Sequence, residues 1–63
     1  MKLFITNKEL QEILGVSQST AYQRIKSMND ELEAEGYHIV RGKVPIEKFY
    51  EKYPYLRDKL DVS

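Results

Sequence analysis

The tightest constraint on this chain is three residues long. Gly15, Val16 and Ser17 stand between two stretches that both have helical spacing. Glycine adopts the left-handed conformation that ends a helix, and serine accepts a hydrogen bond from the N–H groups that open the next. Two helices must therefore meet across a connection of about three residues. Val16 and Ala21 occupy the positions of a hydrophobic staple around the second start. Upstream, after the extended apolar stretch Leu3–Ile5, Thr6 can cap the first helix. Glu9 follows three residues later as the partner of a capping box, and Ile5 and Leu10 form a staple around it. The first helix reads from about Asn7 to Leu14, with Leu10, Ile13 and Leu14 inward.

The second helix reads from about Gln18 to Glu35. Ala21, Ile25, Met28 and Leu32 recur at spacings of four, three and four, which is one helical stripe, and Gly36 stops it. The period then changes. Tyr37–Val40 is β-prone, Arg41-Gly42 is a turn, and Lys43-Val44 can return as a short strand, giving a small hairpin. Pro45 suits a helix's first turn. Ile46, Phe49, Tyr50 and Tyr53 make the third helix amphipathic, and Pro54 ends or restarts it. The fold class expected is mainly α with a small β-hairpin wing, a winged helix-turn-helix over residues 1–54. Residues 55–63 form a tail, either a short helical turn or frayed.

The chain is 63 residues long, enough for one domain and one small core. It has no cysteine and one histidine, His38, so neither a disulfide framework nor a Cys- or His-cluster metal site can be built. No paired carboxylates, nucleophile or phosphate-binding loop is recognisable. An enzyme, a cofactor and a metal are accordingly not expected, and His38 reads as a structural or edge residue. No membrane span or signal peptide is visible, so the expected setting is the cytoplasm. Ten Lys/Arg balance ten Asp/Glu, so any nucleic-acid surface must lie in where the charges sit.

They sit unevenly. The first half of the second helix holds Arg24 and Lys26 and no acid, whereas the second half holds Asp30, Glu31, Glu33 and Glu35 and no base. This order opposes the helix dipole, whose N-terminal end prefers anions and whose C-terminal end prefers cations. Lysines or arginines on neighbouring elements offer a partial offset, and an external anion near the helix start explains the rest. At about 100° per residue, the face opposite the apolar stripe carries Ser19, Gln23, Lys26 and Asp30. Ser27 lies beside it, and Thr20 and Tyr22 lie on the flanks. Ser, Gln and Lys suit bases and phosphates, and Gln matches the paired groups on adenine's major-groove edge. Arg41 and Lys43 around Gly42 add a basic spot suited to a phosphate backbone. The competing reading is a protein-interaction module, an anti-repressor or an integrase or polymerase partner, that uses the acidic patch 30–35.

"LQEILGVSQSTAYQRIKSMNDELEAEGY" followed by "IVRGKVPIEKFYEKY" resembles small winged helix-turn-helix proteins of Gram-positive bacteria, their phages and integrative elements. Some of these resemble excisionases, and the wider group is similar to the MerR-type domain. The resemblance covers roughly residues 5–53 and is most specific in "LGVSQSTAY" and "RGKVPIEKF". It implies binding of double-stranded DNA in transcription regulation or recombination directionality. By position it gives Ser17–Lys26 the recognition role, so that Ser17, Gln18 and Arg24 join the candidates, and it gives Arg41, Gly42 and Lys43 the wing role. Gln11 and Arg24 depart from the general motif, which has a small residue and an apolar one there. A single module buries little DNA surface, so a dimer, a cooperative array, or a partner such as an integrase or repressor is also implied.

Overall fold

The computed structural model describes residues 3–57. In chain order these form strand β1 (Phe4–Thr6), helix α1 (Asn7–Leu14), helix α2 (Gln18–Ala34), strand β2 (Lys43–Pro45), helix α3 (Ile46–Lys52) and a 3-10 turn at Pro54–Leu56. The architecture is mainly α with a two-stranded antiparallel sheet, as expected for a winged helix-turn-helix.

The caps set the first helix pair. The Thr6 hydroxyl accepts from the Glu9 N–H at 3.2 Å, and the Glu9 carboxylate accepts from the Thr6 N–H at 3.0 Å. Both staple residues, Ile5 and Leu10, are buried. α1 ends on Gly15 at φ 67° and ψ 38°, with its N–H donating to the Gln11 carbonyl at 2.8 Å. The Ser17 hydroxyl then accepts from the Thr20 N–H at 3.2 Å to open α2. At the far end of α2 the Tyr37 N–H reaches the Leu32 carbonyl and the Gly36 N–H reaches that of Glu33, both at 3.0 Å. These two bonds make a Schellman stop, with Gly36 at φ 91°.

The core is Ile5, Leu10, Ala21, Ile25, Met28, Val44 and Phe49. Leu32, the last residue of the predicted stripe, is only half-buried. Asn29 and Lys48 are buried although polar. Ile13, Leu14, Val16, Tyr50, Tyr53 and Leu56 pack against the rim of the core. Leu56 thus belongs to the packed body, whereas residues 58–63 of the expected tail lie outside the described residues.

The pairing of the wing differs from the sequence expectation. β2 pairs with β1, in the register Phe4↔Pro45, Ile5↔Val44 and Thr6↔Lys43, and Tyr37–Val40 forms no strand. The reason is the burial each partner offers. Ile5 and Val44 face each other across the ladder and are both fully covered, whereas Tyr37, His38 and Val40 are exposed. Residues 37–42 instead form a loop closed by a turn in which the Lys43 N–H donates to the Val40 carbonyl at 3.3 Å. Gly42 takes φ 79° at the third turn position, where a type II turn requires positive φ. Pro45 is tolerated because it lies at the end of a two-stranded ladder. The next N–H, that of Ile46, donates to the Leu3 carbonyl at 2.9 Å.

Candidate nucleic-acid interface

α2 is held at both ends by capping and along one side by the core, which leaves its outward face free of packing. Ser19, Gln23, Lys26 and Ser27 are exposed on that face, and Ser17 and Gln18 are exposed at its start. Thr20 is half-buried, with its hydroxyl bonded to that of Ser17 at 3.1 Å. Arg41, Gly42 and Lys43 are all exposed.

The loop folds back along α2, so helix and wing tip share one concavity. Tyr22, Lys26, Arg41 and Gly42 line a cleft of about 370 Å³ together with the acids Asp30 and Glu33, and Asn29 and Ile39 are also in its wall. Gln18, Ser19, Tyr22 and Gln23 line a second, shallower groove together with Asn7 from the start of α1. Tyr22 is common to both. Ser27 lines neither concavity. Arg24 stands apart too: it is exposed, but it lines a groove toward α3 with Ser27, Met28, Lys52 and Tyr53. Its displacement follows from 3.6 residues per turn, which rotates position 24 away from Gln23 and toward Met28.

Two residues of consequence carried no motif. Asn29 lies four residues beyond Ile25, so the apolar spacing already places it inward. Its amide donates to the Lys43 carbonyl at 2.8 Å and to the Val40 carbonyl at 3.4 Å. This fastens the wing loop to α2 from inside. Asn7 does the equivalent at the other end. Its side chain donates to the Gln18 carbonyl at 3.3 Å and accepts from Gln11 at 2.6 Å. Gln11, too large for a tight helix crossing, is thereby turned into part of the joint between α1 and α2.

The charge split along α2 is offset in part inside the molecule, at Glu31. Glu31 receives Lys52 at 2.8 Å and Lys48 at 3.1 Å from α3, and Lys48 also reaches Glu51 at 3.2 Å. The hydrogen bonds from Lys52 and then Lys48 hold the Glu31 carboxyl below its ordinary pKa. The bond to Glu31 in turn raises that of Lys48. α3 thus supplies the cations that the last turn of α2 lacks. Lys26 and Asp30 pair at 3.2 Å, both well exposed. Glu33 and Glu35 form no ion pair among the described residues. Of the acidic patch, therefore, Glu31 is committed to α3 and Asp30 to the reading face.

No group of acidic, cysteine or histidine side chains that could hold a metal is formed among the described residues, and no helix there is long and apolar enough to cross a membrane. No family model matches the chain and no solved structure matches it. It is 42% identical over 52 residues to the ICEBs1 excisionase of Bacillus subtilis (strain 168), an alignment that spans 82% of this chain and 81% of that protein.

Proposed function

The chain belongs to the excisionase family of that relative, and on this premise we propose that it binds double-stranded DNA as a directionality factor in the site-specific recombination of an integrative element or phage. Residues 17–27 lie in the major groove, where Ser19 and Gln23 meet base edges. Arg41 and Lys43 contact the adjacent backbone around Gly42. The observation that supports this reading best is the shared cleft: one face presents the reading side of α2 and the wing tip together, with Lys26 and Arg41 on its walls beside Asp30 and Glu33. A strand of DNA backbone separates a major groove from the neighbouring minor groove, and a cleft between a groove-filling helix and a loop is where such a strand would pass.

The reading through the acidic patch 30–35 rests on Glu33 and Glu35, because Asp30 and Glu31 already have partners. A lone module of this kind covers roughly 600–1,000 Å² of its own surface on DNA. Useful specificity therefore calls for a second copy on the DNA or a protein partner such as an integrase. The same binding at a promoter would regulate transcription.

A salt titration on a site selected from random DNA tests the proposal. With about four phosphate contacts, affinity falls on the order of a hundredfold between 50 and 200 mM salt. Gln23→Ala weakens binding to the selected site more than to random DNA. Lys43→Ala weakens both about equally and flattens the salt slope by roughly one. The absence of binding at low salt across many sequences refutes the proposal, and the reverse pattern in the two variants exchanges the roles of reader and clamp.

A further inference from the structure

Tyr22 is an aromatic side chain on a polar reading face. Its residue surface is 51% exposed. The rings of Tyr50, Tyr53 and Tyr55 join a cluster with Phe49, but Tyr22 has no ring partner and no side-chain hydrogen bond among the described residues. It forms the ridge between the two concavities of the interface. On one side are Ser19 and Gln23, which can hydrogen-bond; on the other are the cations Lys26 and Arg41 with the acids Asp30 and Glu33 beside them. The ring is the apolar part of an otherwise polar face, and covering it in a complex is favourable.

We infer that Tyr22 reads thymine, with its ring packed on the C5-methyl group of a thymine in the major groove. The inference rests on the proposed mode of DNA binding. The methyl group of thymine is the apolar feature of the major-groove edge, where the other groups are donors and acceptors, so a ring pressed into that groove finds its complement there. Arg41 and Lys26, the latter paired with Asp30, supply the cationic groups of the adjoining cleft, which leaves the ring, rather than the hydroxyl, as the distinctive contribution of Tyr22. Gln23 at the next position offers the paired groups that match adenine. A hydrogen-bond reader and a methyl reader thus stand side by side, and the face is suited to A·T-containing steps.

The test replaces each thymine of the selected DNA site by uracil, which removes only the methyl group, and follows binding by fluorescence anisotropy. At one thymine or two neighbouring ones, wild-type protein loses about fourfold in affinity, the scale of one buried methyl group. Tyr22→Phe keeps this sensitivity because it keeps the ring. Tyr22→Ala binds more weakly and treats uracil and thymine alike, while circular dichroism shows unchanged helix content. A flat uracil scan with the wild-type protein overturns the inference, as does sensitivity that survives in Tyr22→Ala. If Tyr22→Phe loses as much affinity as Tyr22→Ala, the hydroxyl is the contact and the inference also falls. Wild-type protein that binds no DNA at all refutes the proposed function instead, so the two failures are distinct.

Discussion

Replacing Asn29 should loosen the wing and unfold the protein more easily, and the structure gives the scale. The 2.8 Å bond to Lys43 has ordinary geometry, whereas the 3.4 Å bond to Val40 is at the outer limit. Asn29→Ala removes one good hydrogen bond, worth about 1 kcal/mol net, and leaves a part-buried carbonyl without that donor, which adds about 1 kcal/mol, the low end for an unmet buried acceptor. A loss of about 2 kcal/mol lowers Tm by roughly 8–16 °C in a domain this small. Asn29→Asp sharpens the test, because it keeps the shape and deletes the N–H groups. At neutral pH a buried carboxylate then faces two carbonyl oxygens, so this variant is less stable than the alanine one. Protonation restores a donor, so the folded state raises the carboxyl's pKa above that of the unfolded chain. The deficit relative to wild type therefore shrinks as pH falls through that raised value. Urea unfolding of the three proteins at pH 7 and pH 5 measures all of this. If Asn29→Ala lies within about 0.5 kcal/mol of wild type, or the aspartate variant is no worse than the alanine one at pH 7, the amide is not the fastening described.

Glu31→Gln tests the other buried polar junction. Because the Glu31 pKa is depressed by Lys52 and Lys48, its contribution is present above its ordinary value of 4.5 and is lost as pH falls below it. Wild-type stability should drop on acidification in that range and the variant's should drop less, as read by urea unfolding from pH 6 to pH 3; equal slopes contradict it. The raised Lys48 contributes fully at neutral pH, and that contribution is lost only above its ordinary value of 10.5. On the reading face, Asp30→Asn frees Lys26 from an exposed pair worth a few tenths of a kcal/mol. DNA affinity at low salt should then rise about twofold, more than for Glu35→Gln, and the excess should vanish in a Lys26→Ala background. An undiminished excess in that background would show that Asp30 acts only as a general negative charge.

The local parts of this fold were legible because their chemistry is local. Thr6 with Glu9, Gly15 and Ser17 each signal a helix end through groups a few residues apart, and all formed as their spacing predicts. The wing was not, because a β-prone run has no strand until some other segment pairs with it. β2 found its partner in residues 4–6, far away in sequence, and the locally plausible Tyr37–Val40 remained a loop. The candidate interface was legible as a face: Ser19, Tyr22, Gln23 and Lys26 do share a side with Arg41 and Gly42. Arg24 does not join them. Asn29 and Lys48 escaped notice because hydropathy treats an amide and an ammonium as surface groups. Their burial depends on partners, the Lys43 carbonyl and Glu31, that only the tertiary structure supplies.

The pairing of β1 with β2 also sets an order of events when the chain folds. The α1–α2 unit closes through contacts separated by few residues, which form fast. The ladder joins partners about forty positions apart, and the loop-closure entropy for that span must be met before any ladder bond forms. The helix pair is therefore the natural nucleus, and the wing docks onto it afterwards. Substitutions in the Gly15–Ser17 turn should slow folding. Those at Val44 should leave the folding rate nearly unchanged and speed unfolding instead. During synthesis the first strand leaves the ribosome long before its partner does, and it stays an open edge until residues 43–45 emerge.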